Sequence, residues 1–365
     1  MKSIAISAAA VLSALLPVTL AQTHTACNPL NTTGCPDMDA LGGNATFHFN
    51  DTMSTKIWIQ QNQGKVDWDE KGTTFTVNRR GDSPMVQSKF YMLFGRLEII
   101  MQAAPGQGIV SSAILQSETL DELDWEWLGT NNTHVLTNYF GKGNTTDYTR
   151  GKDYPMDKAP QDGFHNYTLD WTKERTQWWL DGVMLRELKF EEALGGKNYP
   201  QTPMNVRLGA WSGGDVENND PYTVEWAGGE TDFSKGPFTM IVQEVHVQDY
   251  TTAKTYSWED MDSSGSWEKV KVITGGKSES LQEIEKPSGV RNRWQALSKG
   301  AQIAIIASIV GVVVVGICAL AFVCIKRRRE GRREYAAHVA EENKEQAELL
   351  QYKSQMQGNN GYTRV

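Results

Sequence analysis

Cysteine is scarce in this sequence. Four occur in 365 residues, and only Cys27 and Cys35 precede the long apolar run at 301–325. A disulfide-dense scaffold is therefore excluded. Basic residues are in deficit too, with 36 Lys and Arg against 44 Asp and Glu and a net charge of −8. Much of the missing positive charge sits at the two ends. The last 40 residues carry +3 and Lys2 adds one more, which leaves about −12 for everything between. An acidic body of that size is a poor partner for nucleic acid or anionic lipid and is compatible with an uncharged ligand. No Gly-rich phosphate loop and no Ser/His/Asp arrangement stands out. The six histidines are His24, His48, His134, His165, His246 and His338, and none makes a metal-like pair with nearby carboxylates. No cofactor, metal or catalytic role is assigned to them. A long amphipathic helix is also missing before residue 301.

Two apolar runs are present. Met1 and Lys2 lead into one from Ile4 to Leu20, which closes on the small residues around Ala21. Residues 1–21 read as a secretory signal peptide, with the exported chain starting near Gln22. The second run, Ala301–Ile325, holds 25 residues without a charge. At ~1.5 Å per residue it reaches about 38 Å as a helix, beyond the ~30 Å hydrocarbon core of a bilayer. Lys326, Arg327, Arg328, Arg329, Arg332 and Arg333 follow directly. Basic flanks stay cytoplasmic, so a single-pass type I topology is expected, with residues 326–365 as a cytoplasmic tail. The 40 residues beyond the run disfavour a GPI signal. Within the tail, Glu334–Lys353 has the charge spacing of a helix, although a solvated segment fits equally well.

The expected topology places Cys27 and Cys35 in an oxidising compartment. A bridge between them is the preferred reading, and zinc is the weaker alternative because no His/Cys cluster completes a site. Six glycosylation sequons lie on the same side, at Asn31, Asn44, Asn50, Asn131, Asn144 and Asn166. Residues 22–274 read as one domain. Strand-like runs at Phe94–Met101, Gly108–Ser117, Glu122–Leu128, His134–Lys142, Tyr167–Trp171, Thr176–Leu180, Val183–Leu188, Met204–Trp211 and Phe238–Tyr250 are separated by Gly, Asn, Asp and Pro. Asp181-Gly182 is a hairpin signal. The pattern predicts an all-β sandwich or barrel. Residues 275–300, rich in Ser, Glu, Lys and Gly, predict a flexible stalk.

The informative segment is Asp121-Glu122-Leu123-Asp124-Trp125-Glu126-Trp127-Leu128. Side chains alternate along a strand, so Glu122, Asp124 and Glu126 share one face and Leu123, Trp125 and Trp127 the other. Trp125 and Trp127 argue for a packed inner face, which leaves the acidic face to line a cleft. Glycoside hydrolysis needs two carboxyl groups of unequal proton affinity, and a third nearby helps to keep one protonated. Residues four apart on a strand have Cα atoms roughly 13 Å apart, so the two Glu side chains must lean inward over Asp124. A solvated acidic face and a Ca²⁺ site are the competing readings.

E-L-D-W-E resembles the E-x-D-x-E signature of family 16 glycoside hydrolases. With N-Y-F-G-K-G at Asn138–Gly143, W-W-L-D-G at Trp178–Gly182, R-L-G-A-W-S-G-G-D at Arg207–Asp215 and S-G-S-W at Ser264–Trp267, the sequence is similar to the Crh group of fungal cell-wall transglycosylases. The resemblance implies a concanavalin-like β-jelly-roll with a concave cleft, plus, in this chain, the C-terminal transmembrane helix. It implies chitin and β-glucan chains as partners and a catalytic domain facing the cell wall. Glu122 would be the nucleophile, Glu126 the general acid/base, and Asp124 an aid that tunes both. Glu126, Arg207, Trp211 and Thr223 match positions that contact the chitin chain. Tyr139, Phe140, Trp178 and Trp211 are candidate aromatic surfaces for an acceptor sugar, with core packing the competing role for all but Trp211. A plain endo-acting glucan or chitin hydrolase, and a non-catalytic sugar-binding wall sensor, are the alternatives.

Overall fold

The computed structural model describes residues 24–358, except 51–52, 62, 147–148, 287–293 and 296. The expected signal peptide and the last seven residues lie outside the described residues. The chain divides into two units, Met1–Lys286 and Pro287–Val365.

The first unit is a β-sandwich. One sheet has seven strands in the spatial order Lys152–Pro155, His134–Phe140, Glu122–Leu128, Ile109–Ser117, Met204–Ser212, Met85–Ser88 and Trp58–Gln61. The second has Val183–Lys189, Arg175–Leu180, His165–Trp171, Gly95–Gln102, Phe238–Asp249, Gly72–Val77 and Lys65–Asp69, with Asn44–His48 also paired to Phe238–Asp249. All these pairings are antiparallel. The expected strands thus exist, with ends shifted by one or two residues. Asp181 and Gly182 both take positive φ, 48° and 82°, as a tight hairpin with matched twist requires.

Alternation explains the core. Gly95–Gln102 buries every second side chain, whereas Ile109–Ser117 is buried along its whole length. One face packs between the sheets, and on the other Ser112 bonds Trp211 and Gln116 bonds His24. Trp125, Trp127 and Tyr167 meet between the sheets, with Trp127 and Tyr167 edge to face at 4.5 Å. A three-stranded sheet of Met38–Asp39, Thr255–Ser257 and Lys271–Ile273 completes the β-structure described.

Part of the segment expected as a stalk, residues 275–300, is structured within the first unit. Glu279–Ile284 is a helix of the first unit, N-capped by the Ser278 hydroxyl. Its first turn is also held by Asp39, which accepts from the Glu279 and Ser280 main-chain N–H groups. Ser-rich composition suggested a linker, but Ser278 is a cap with a partner strand beside it. In the second unit Lys299–Gly358 is one helix, which includes the uncharged run and continues through the basic cluster. It is long and apolar enough to cross a membrane.

Candidate active site

Register decides which side chains share the cleft floor, because directly paired residues point to the same face. Glu122 pairs with Phe140 on one side and Gln116 on the other. Asp124 pairs with Asn138 and Ile114, and Glu126 with Leu136 and Ser112. One strand further, Asn205 lies beside Gln116, Arg207 beside Ile114 and Gly209 beside Ser112. Three carboxylates therefore run down the middle of the floor. The opposite face of the same strand, Leu123, Trp125 and Trp127, is fully buried. Glu122, Asp124 and Glu126 line a cleft of about 860 Å³ together with Leu136, Asn138, Phe140, Trp211, Thr223 and Trp226, among others.

The start of the acidic strand is pinned. Asp121 is fully buried, and its carboxylate accepts from the N–H groups of Lys142, Gln201 and Thr202 and from the Thr202 hydroxyl. Leu120, just before it, sits at φ 65°, a conformation that a branched side chain adopts only when its surroundings enforce it. Underneath the floor lies a buried cation. Arg186, from the second sheet, donates to the Thr137 carbonyl and hydroxyl and to the Arg150 carbonyl, each at 2.9 Å. Its guanidinium stacks over Trp178, whose indole N–H donates to the Asp124 main-chain carbonyl at 3.0 Å.

The three carboxyl groups are electrostatically unequal. Asp124 is buried, and loss of water, with the charges of Glu122 and Glu126, raises its proton affinity well above the usual range, against the pull of Arg186. Its hydrogen bond with Glu122 needs a proton on one of the two groups. Glu126 stays partly exposed, yet the packing around its carboxyl and the charge on Glu122 push it up to about 8. Glu122 accepts from the Gln116 side chain at 3.2 Å and feels the positive charge of Arg207. The arrangement thus favours a protonated Glu126. Among the described residues, no group of three or more His, Cys, Asp or Glu side chains is arranged to hold a metal ion.

One rim of the cleft is aromatic. Trp211 stacks on Trp226 at 6.1 Å and donates its indole N–H to the Ser112 hydroxyl. Trp226 ends the short helix Pro221–Trp226, capped by Asp220, whose carboxylate accepts from the Tyr222 and Thr223 N–H groups and the Thr223 hydroxyl. The loop before it is anchored by Asp215, which takes Arg80, the Gly81 N–H and Asn218. Burial raises Asp215, but these bonds outweigh it and hold the carboxyl below its ordinary range. Close passage of main chain requires glycine here, since a Cβ on Gly214 would lie 2.3 Å from the Gly229 carbonyl oxygen.

Of the residues singled out from sequence, Glu122, Asp124, Glu126, Trp211, Thr223 and Phe140 meet in this cleft. Tyr139 is a correction. It pairs with Leu123, so it points between the sheets, where it is 6% exposed and lies against Arg186. Trp178 is likewise a core residue. Arg207 faces the floor but is only 2% exposed, because His24 covers it. Cys27 and Cys35 are bonded. None of the six sequon asparagines is buried. Gln116, Arg186 and Asp121 were not anticipated. Their partners include residues far away in sequence, and nothing local marks them.

A sandwich with three carboxyl groups on the floor of a tryptophan-rimmed cleft, one of them raised to about 8, has the make-up of a glycoside hydrolase-type enzyme. The profile of Glycosyl hydrolases family 16 matches residues 51–228. A Crh-like protein of Arthroderma benhamiae is 46% identical over 96% of this chain and 95% of its own length. Crh-like protein 2 of Botryotinia fuckeliana is 46% identical over 95% of this chain and 76% of its own. Among solved structures, apo Crh5 transglycosylase has a TM-score of 0.64 at 46% identity and covers 67% of this chain and 100% of its own. The same enzyme is known in complex with NAG, with the same score and identity and 99% of its own length covered. This chain belongs to glycosyl hydrolase family 16, among the Crh-like proteins.

Proposed function

We propose that the protein is a retaining transglycosylase that cleaves chitin internally and transfers the new end to β-glucan, with the sandwich held outside the membrane and facing the cell wall. The observation that carries this is the placement of Glu122, Asp124 and Glu126 on one face of one strand, together lining a cleft with Trp211, with Glu126 pushed up to about 8. Glu122 attacks the anomeric carbon, and the glycosidic bond breaks as Glu126 passes its proton to the departing oxygen. The sugar is left as an ester on Glu122. Glu126, now a base, takes the proton of an incoming hydroxyl, which attacks the same carbon and frees Glu122. Two displacements restore the original anomeric configuration. Asp124 keeps the proton it shares with Glu122, so that Glu122 attacks as a carboxylate. The related Crh5 enzyme, described as a transglycosylase and also solved with NAG, supports a sugar acceptor over water.

The test is to supply chitin oligomers as donor and a fluorescent β-glucan oligomer as acceptor. Labelled products longer than the acceptor are expected. Chitin fragments without labelled product would mean a hydrolase, and sugar binding without any cleavage would mean a sensor. Trp211 is read as a sugar platform at the rim. Trp211→Ala should raise KM for the oligosaccharides about ten-fold while kcat changes little, as loss of uniform binding does. An unchanged KM would remove Trp211 from the binding surface.

A further inference from the structure

The cleft floor carries three planar polar side chains that are covered in this structure. Gln116, Asn205 and Arg207 lie on the same face as the carboxylates, yet Gln116 and Asn205 are 0% exposed and Arg207 is 2% exposed. At ~4.8 Å per strand, Arg207 lies about 10 Å along the floor from Asp124. Side chains of this kind on an open floor would hydrogen-bond sugar hydroxyls. Here the main chain of His24 takes that place. Its N–H donates to the Gln116 side-chain oxygen at 3.4 Å. Its carbonyl accepts from Arg207 Nη2 at 3.2 Å, and its Nδ1 lies 3.4 Å from Arg207 Nη1. His24 itself remains exposed, so it lies on top of the floor.

The segment behind His24 is tied down. The Thr25 hydroxyl donates to Glu118, which also accepts from the Tyr91 hydroxyl at 2.7 Å. The Cys27 N–H donates to the Thr25 hydroxyl at 3.2 Å, Pro29 is buried, and Cys27 is bonded to Cys35.

We infer that residues 24–35 form a strap that closes the cleft at its Arg207 end and sets how far a sugar chain extends there. This inference rests on reading the cleft as glycan-binding. The strap presents one donor and one acceptor, as a pair of sugar hydroxyls does. Displacing the strap takes one bond each from Gln116 and Arg207, which also bond Glu122 and Asn205, and a ligand that replaces both offsets that loss. A long polysaccharide is such a ligand, and a short one never reaches the place. The strap is therefore a specificity determinant for chain length. It also touches the nucleophile indirectly, since Gln116 donates to Glu122.

The experiment compares the full chain with Thr25→Val and with Thr25→Val combined with Cys27→Ser and Cys35→Ser. Chitin oligomers of rising length serve as donors with one fixed acceptor. The wild type should stop gaining kcat/KM at a shorter donor than the variants do. The loosened strap should add about ten-fold for the longest donors, the worth of one or two hydrogen bonds, and leave the shortest productive donor unchanged. Parallel length profiles overturn the strap, and so does a uniform loss over all lengths. If the triple variant does not fold, Thr25→Val alone, with its disulfide intact, gives the same comparison. If the wild type turns over no donor, the reading of the activity fails. Calorimetric binding of the same oligomers then tests the strap separately, and equal affinity gains with length in wild type and variants would refute it.

Discussion

Glu122→Gln should cut turnover of chitin oligomers by on the order of 10³-fold or more while leaving their binding nearly intact. Glutamine keeps the shape and the hydrogen bond from Gln116, but its amide cannot form the glycosyl ester. The loss should therefore fall on kcat. Calorimetry on an intact oligomer reports the binding half of the expectation. A second readout comes from the neighbour. The charge of Glu122 is one of the two causes that push Glu126 up to about 8, so removing it should bring Glu126 down, as followed by carboxyl NMR titration. Retained turnover would exclude Glu122 as the nucleophile, whatever became of Glu126.

Glu126→Ala should be distinguishable from it by pH. In the wild type the acid must hold its proton, and a group raised to about 8 loses it as pH climbs through that value. Activity should then fall on the alkaline side with a midpoint near the same value. The alanine variant should lose about 10²- to 10⁴-fold on natural donors, the usual share of general acid/base catalysis, and its profile should lose that alkaline limb. With a donor whose leaving group departs without a proton, Glu122 still forms the ester but no base remains to complete the second step. Azide needs no base. It should attack the anomeric carbon, displace the Glu122 carboxylate and yield a glycosyl azide of retained configuration. An alkaline limb that survives in Glu126→Ala would assign the titration to another group, with Asp124 the nearest candidate.

Much of the site could be read from one octapeptide. Alternation alone placed Glu122, Asp124 and Glu126 on one face and Trp125 and Trp127 on the other, and the sheet keeps that division. The orientation of the next strand was not legible in the same way. Whether Tyr139 or Phe140 faces the cleft depends on the turn before His134–Phe140, and adding or removing one residue there would exchange them. Arg186 and Gln116 escaped for a different reason. Arg186 reaches a carbonyl 49 residues earlier, and the His24 segment lies 92 residues before Gln116 in sequence. Such contacts follow from the way the sheets close, which no local pattern encodes. The early end assigned to the domain came from composition. Ser278 and Glu279 read as linker residues until Asp39 supplies acceptors for the helix they begin.

The strand that bears both glutamates is hydrogen-bonded on both sides, to Ile109–Ser117 and to His134–Phe140, and its Asp124 carbonyl is held from below by Trp178. The distance between Glu122 and Glu126 is therefore set by covalent chain and paired backbone, with no hinge between them. On the proposed reading, changes confined to the tryptophan-bearing rim and the His24 end of the groove would alter which polymers enter and leave the floor as it is.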